Sequence, residues 1–496
     1  MTTSLPTPET VHLPSSRRWA ALAVLVGAVL LLAVDGTVLY LAVPSLTREL
    51  APTATEILWI GDVYSLALAG LLVTAGNLAD RFGRKKVLLI GTAAFGVASA
   101  LAAFSPTAGV LVVARLLLGI AGATIMPSTL SIIRTLFTDP RERTRAVAIW
   151  SAGSGGGIAL GPLVGGLLLE HYWWGSVFLI NVPIVVVFLI AGAFLLPESR
   201  DPHPGRFDLL SAGLSMAAIV PLVYAVKHAV SSGIDPQVAV AAAAGVVSGV
   251  LFVRRQRRAE SPLIDVTLFR NGAFSGAVLA SFVAVFALMG LLFFFSQYLQ
   301  LVRGFSPLQA GFAEMPATLA SIVVVAAVGV VVGRLGRGRA VAAALAVAAL
   351  GLALVAIAEQ ATQYWWLGLT LVPVGLGVGL ALTLTVDSVL SAVPRDKAGS
   401  ASAISETAYE LGAALGIALL GSLVTLVYRA NLPAAAPGEV RDSLAGAVNV
   451  LDSASELAHT AREAFTGAMQ VTSLAAAAVT AVAAVIAWAT IPSGKD

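Results

Sequence analysis

Apolar residues fill this 496-residue chain in long blocks separated by short polar segments. Fourteen blocks stand out: 19–43, 57–79, 87–104, 108–133, 146–168, 176–196, 208–228, 236–253, 272–300, 307–332, 340–358, 364–391, 399–428 and 468–491. Each is long enough to cross a hydrocarbon core about 30 Å thick. Lipid offers a spanning backbone no partner but itself, so each block is predicted to be a helix. The pattern thus predicts an all-α polytopic membrane protein with both termini on one side. A polar linker at 198–206 closes the first six blocks, and a basic segment at 254–270 precedes the last six. The expected organisation is 6+2+6. Residues 1–206 would form a six-helix bundle, 207–271 two additional helices with a cytoplasmic linker, and 272–496 a second bundle. An Ala-rich segment at about 430–466 is expected outside the membrane.

Composition agrees with the pattern. Mean hydropathy is +0.91, and 11% of residues are charged, against about 25% in a soluble domain. The net charge of +3 would by itself admit nucleic acid as a partner. The placement of the charges excludes it: 23 of the 30 Lys and Arg fall in the segments on the side of the termini, and six fall opposite. By the positive-inside rule the termini are cytoplasmic and the cations are anchors in short loops. The first block is too long for a signal-peptide core and lacks a small-residue cleavage site, so it is read as retained. There is no cysteine and no Walker A sequence, and no histidine lies deep in a block. No enzyme activity, metal, cofactor or ATP use is therefore expected.

The fifth block carries the sequence Ser151 to Gly166, in which Gly153, Gly157, Gly161 and Gly165 recur every four residues, with Pro162 beside the third. Four-residue spacing puts these glycines on one helix face. In a bilayer such a stripe lets another helix approach closely. It is read either as tight packing or as the smooth contact on which two halves of a moving protein rock. The second reading is preferred, with the stripe sealing one side of a cavity.

Between the second and third blocks lies Gly76-Asn-Leu-Ala-Asp80-Arg81-Phe-Gly83-Arg84-Lys85-Lys86. Gly83 permits a tight turn, and Asp80 faces a cluster of cations. This run resembles the signature of the major facilitator superfamily nearly residue for residue. Asp35-Gly-Thr37 through Pro44, Ala114-Arg115 through Gly119, and the stripe ending Gly161-Pro162 resemble elements of the fourteen-span drug:proton antiporters, the branch of the quaternary-ammonium efflux pumps. Glu406-Thr-Ala-Tyr409-Glu410 extends the likeness to the thirteenth block. The resemblance implies a major facilitator fold and export by antiport in a bacterial cytoplasmic membrane.

Charges inside a membrane are costly, so each is a functional candidate. Asp35 lies about 24 Å from the start of its block by helical rise, and Asp62 and Arg115 fall at similar depth. They are expected to form one layer, in which Arg115 competes with protonation of a carboxylate. Glu406 and Glu410 stand four apart on one helix face; two carboxylates in low dielectric cannot both ionise cheaply. Asp35, Asp62, Arg115 and Glu406 are the expected proton-coupling residues. Glu410, Tyr409, Glu406, Trp59, Trp150 and Glu314 are the expected cargo site, with aromatic rings contributing cation–π contacts. Gly76, Asp80, Arg81, Gly83 and Arg84 join the stripe as conformational elements. The expected partners are small organic cations, protons and membrane lipid, with the protein monomeric. A dedicated exporter of one endogenous metabolite or antibiotic is the alternative.

Overall fold

The computed structural model describes residues 14–200, 208–259, 262–394 and 397–493. Residue 206, where the first expected bundle ends, lies outside them. Fourteen helices among the described residues are long and apolar enough to cross a membrane. They are α1 (Ser15–Leu50), α2 (Ala54–Phe82), α3 (Arg84–Ala103), α4 (Ala108–Leu136), α5 (Arg141–His171), α6 (Ser176–Leu195) and α7 (Leu209–Val230). The remainder are α8 (Pro236–Arg258), α9 (Gly272–Val302), α10 (Pro307–Leu335), α11 (Arg337–Ala358), α12 (Tyr364–Ser391), α13 (Ser400–Ala430) and α14 (Glu456–Thr490). The predicted blocks all appear, mostly lengthened by polar turns that the hydropathy pattern does not count.

Sequence chemistry sets the boundaries. Thr53 caps α2 with Glu56 returning the bond in a capping box, and Asp139 and Asp235 cap α5 and α8 ahead of Pro140 and Pro236. Such caps satisfy the orphan N–H groups of a first turn. Between α2 and α3, Gly83 adopts φ +112°, and a Cβ there would lie 2.8 Å from the Glu198 carboxylate. That carboxylate instead accepts from the backbone N–H groups of Lys85 (3.1 Å) and Lys86 (3.2 Å). Arg84 Nε donates to Asp80 at 2.8 Å, and its NH1 group donates to Thr135 of α4 at 3.1 Å. The motif is thus a turn that locks the ends of α2, α3 and α4 together.

Among the first six helices, α1 packs on α5, α4 on α2 and α3, and α6 on α3 and α1. Among the last six, α11 packs on α12 and α14, α10 on α12, and α9 on α12, α13 and α14. The two groups meet along three lines, α2 with α13, α5 with α10, and α1 with α9. Helices α7 and α8 pair with each other at the periphery, and α7 reaches both α2 and α13.

We call the face bearing the termini the terminal face and the opposite one the distal face. Distal contacts between the groups are dense. Tyr40 of α1 meets Phe293 of α9 edge-on with ring centroids 5.5 Å apart, and its hydroxyl donates to Met289 Sδ at 3.5 Å. Gln300 donates to the Leu41 carbonyl at 3.1 Å. The segment between α13 and α14 holds two short helices, Gly438–Asp442 and Leu444–Val450. It reaches across the seam: Asp442 accepts from the Ala54 N–H at 2.7 Å, and Asn449 donates to the Thr47 carbonyl at 3.2 Å.

The glycine stripe does not lie on the seam between the groups. A Cβ added at Gly153 or Gly165 would meet Val26 at 2.5 Å or Val38 at 2.7 Å; one at Gly157 would meet the Leu30 carbonyl at 2.8 Å. Thr37 fills the space beside Gly161. All four partners belong to α1. The expectation that the stripe joins the two halves is corrected: the period identifies a face, and that face is covered by the nearest helix of its own group. The cross-group contact comes from an adjoining face, where a Cβ added at Gly166 would lie 2.8 Å from the Leu308 backbone of α10 and the Pro162 carbonyl faces Gly311.

Candidate functional site

Between the two groups lies a cavity of about 280 Å³, walled by α1, α2, α4 and α5 on one side and by α9, α12 and α13 on the other. Tyr40 and Tyr64 stand toward its distal end, below the Tyr40–Phe293 closure. Toward the terminal face its rim includes Ser151 and Val386, both exposed. The cavity is thus shut distally and open on the terminal side.

Helical register places Glu406, Tyr409 and Glu410 of α13 on the cavity wall together. Glu406 is half-buried and Glu410 buried. Neither carboxylate has a cationic partner among the described residues. Six residues beyond Glu410, α13 opens into a π turn at Gly416–Leu420, where Gly416 packs on the Phe286 backbone of α9. Trp150 of α5 also lines the cavity and donates from its indole N–H to Thr129 at 3.1 Å. Two carboxylates, two tyrosines of the first group, Tyr409 and one indole make an aromatic, acidic chamber. Its chemistry suits a cation with apolar bulk.

Asp35 and Arg115 form a second centre behind the wall. Arg115 NH1 donates to Asp35 Oδ2 at 3.0 Å, and its Nε donates to the Ile60 carbonyl at 3.2 Å. The two side chains are 0% and 1% exposed, so the pair is sealed from the cavity. Asn181 of α6 completes the centre, donating to Asp35 Oδ1 at 2.7 Å and to Ser99 at 3.2 Å. Tyr64 separates the centre from the cavity; the Arg115 guanidinium carbon lies 4.5 Å from its ring centroid. Asn181 was missed at the sequence level. A lone amide in the apolar run of α6 was the available signal.

Three expected site residues lie elsewhere. Asp62 faces away from Asp35 and pairs with Lys227 of α7, Nζ to Oδ2 at 2.6 Å. The single layer of Asp35, Asp62 and Arg115 is therefore corrected to two separate pairs on opposite sides of α2. Trp59 is one turn from Asp62 and carries the Lys227 ammonium 3.7 Å from its ring centroid, so it lies outside the cavity lining. Glu314 of α10 is 1% exposed and also lies outside the lining, with Oε1 unpartnered.

Residues 25–417 match the family description Major Facilitator Superfamily. The chain belongs to that superfamily. This transporter is 45% identical over 97% of its length to the multidrug efflux pump LfrA of Mycolicibacterium smegmatis, covering 97% of that protein. It is 36% identical to the methyl viologen resistance protein SmvA of Salmonella typhimurium, over 84% of each chain. It is 33% identical to a tetracenomycin C resistance and export protein of Streptomyces glaucescens, over 86% of this chain and 82% of that one. Among solved structures it resembles a bacterial homolog of the human lysosomal transporter Spinster in an inward-facing, unoccupied conformation. The TM-score is 0.69 at 16% identity, covering 96% of this chain and 98% of that one, which establishes the fold.

Proposed function

We propose that this transporter exports lipophilic organic cations in exchange for protons, with both termini in the cytoplasm of a bacterium. The observation that carries the reading is the unpaired Glu406–Glu410 couple on the wall of an aromatic cavity open at the terminal face. A cation from the cytoplasm or inner leaflet would enter against these carboxylates and the Tyr409 and Trp150 rings. The Asp35–Arg115–Asn181 centre, which touches the cavity-lining Tyr64, would take the proton when the distal contacts open. Protonating Asp35 removes half of a buried ion pair and releases Arg115, which changes what Tyr64 presents to cargo. Coupling of this kind needs only that proton and cargo weaken each other's binding. Exchange of one monovalent cation for one proton moves no net charge, so the pH gradient alone drives it. One chain encloses the whole cavity, so a monomer suffices. The relatives named for multidrug efflux and methyl viologen resistance support a cationic, varied cargo.

Ethidium transport into proteoliposomes under an imposed pH gradient tests this reading. Wild type should accumulate dye, and Asp35→Asn should not; equal accumulation by Asp35→Asn would remove Asp35 from coupling. The relative named for tetracenomycin C export favours a second reading, a dedicated exporter of one product. Mutual competition among several unrelated cations for ethidium transport would reject it.

A further inference from the structure

We infer that Lys227, Asp62 and Trp59 form an internal clasp that makes α7 part of the first helix group and lets it slide over α13. Lys227 Nζ sits 2.6 Å and 2.8 Å from the two oxygens of Asp62 and stacks on Trp59, with Lys227 2% exposed and Asp62 0%. A carboxylate with an indole is the chemistry that captures an organic cation; here the cation is supplied by the chain itself. Further toward the terminal face, Met216 fills the space where a side chain on Gly70 would stand, and Ser215 donates to the Gly70 carbonyl at 3.3 Å. Helix α7 is thus tied to α2 by a charge pair, a hydroxyl and an interlocked side chain.

Its contact with α13 is of another kind. Val223 of α7 packs with Leu66 of α2 and with Ala414 and Ala418 of α13 in a small apolar cluster bordered by Ile219, Leu415 and the apolar face of Trp59. Dispersion contacts between smooth side chains can be exchanged for similar ones during a slide, whereas a buried ion pair loses most of its energy on separation. Helix α7 covers the α2–α13 seam on the side away from the cavity, which the same two helices wall with Tyr64, Ser65, Glu406 and Glu410. When the groups rock, α7 travels with α2 and keeps this seam covered. The peripheral α7–α8 pair is then a moving shutter rather than a passive spacer.

The chain contains no cysteine, so paired cysteines can be introduced without background. The inference rests on the proposed cargo only for its transport readout. Gly70→Cys/Met216→Cys ties α7 to α2, and Val223→Cys/Ala418→Cys ties α7 to α13; each is oxidised in membranes. The first disulfide should leave ethidium transport within about twofold of the unoxidised protein and the second should stop it at least about tenfold. Blockage by the first, or normal transport with the second, would overturn the clasp. A readout independent of cargo is the yield of the Gly70–Met216 disulfide. It should fall about fivefold or more in a Lys227→Met background and return with Asp62→Lys/Lys227→Asp. An unchanged yield in Lys227→Met would also overturn the clasp. If no unoxidised form moved ethidium while the yields followed Lys227, the cargo reading would fall and the clasp would stand.

Discussion

Tyr64 touches both centres of the transporter: one side of the residue lines the cavity, and the Arg115 guanidinium carbon stands 4.5 Å from its ring centroid. Among the described residues, no other cavity-lining side chain hydrogen-bonds to the buried pair or stacks on it. If proton and cargo communicate, the shortest physical path runs through this ring. Tyr64→Leu removes a cation–π contact of about 0.5–2 kcal/mol and the partition itself. Ethidium should then bind within about threefold of wild type, with gradient-driven uptake reduced about tenfold or more, since coupling terms of 1–3 kcal/mol are at stake. Equilibrium dye fluorescence and proteoliposome uptake on the same preparation separate the two effects. Unchanged uptake would route coupling elsewhere.

Two glycines of α5 should behave differently on substitution. Gly157 faces α1, with the Leu30 carbonyl 2.8 Å from where a Cβ would lie, so Gly157→Leu should lower the melting temperature and the yield of folded protein. Gly166 faces the Leu308 backbone of α10. Gly166→Leu should leave folding nearly intact and loosen the distal closure. The check is maleimide labelling of Gln300→Cys, beside the Leu41 carbonyl on that closure. Labelling should rise several-fold in Gly166→Leu and stay flat in Gly157→Leu; the reverse order would contradict the assignment of these faces.

These two glycines also mark what hydropathy and spacing convey. The helices and the stripe were legible because lipid enforces helical structure and a four-residue period defines a face. Asp35 and Arg115 were legible because a charge in mid-span has few explanations. What covers a face was not legible: α1 rather than a helix of the other group lies on Gly157. Lys227 sits three residues from the end of α7, where a cation reads as a loop anchor, so the partner of Asp62 was misassigned and Trp59 with it. Register fixes the direction in which a side chain leaves its own helix. It does not say which of thirteen other helices stands there.

Trp59 should matter to stability and not to cargo. Trp59→Leu takes the ring from beneath the Lys227 ammonium, worth up to about 2 kcal/mol for a desolvated cation. Thermal unfolding in detergent should begin at lower temperature, while the ethidium dissociation constant stays within about twofold, a shift well under 1 kcal/mol. A large loss of dye affinity without loss of stability would return Trp59 to the cargo site.

On the terminal face, Asp208 caps α7 and accepts from Arg255 of α8 at 2.9 and 3.1 Å and from Ser211 at 2.6 Å. Burial alone would raise its carboxyl, but the hydrogen bonds from Arg255 and Ser211 outweigh it and hold the group near a pKa of about 2. A depressed pKa contributes stability above the unfolded value of about 3.9 and loses it as pH falls toward the folded one. Asp208→Asn should therefore lower the melting temperature modestly at pH 7, and the difference from wild type should close between pH 4 and pH 2. A difference that persists at the acid end would assign the effect to packing rather than charge.

Because α5 lies backbone-close on α1 along four glycines, neither helix has room to shift past the other. Asp35 is on α1, and Gly166, which meets α10 at the distal joint, is on α5. Val34 and Thr37, which flank the buried charge, meet Gly161, so Asp35 lies little more than one turn from the distal joint. Under the proposed exchange, parting Gly166 from Leu308 would pull on the stiff α1–α5 rod that carries Asp35, and so on the bonds it accepts from Arg115 of α4 and Asn181 of α6. The acid would then need no channel cut through the protein: the stroke that parts the distal joint would also disturb the donors around it.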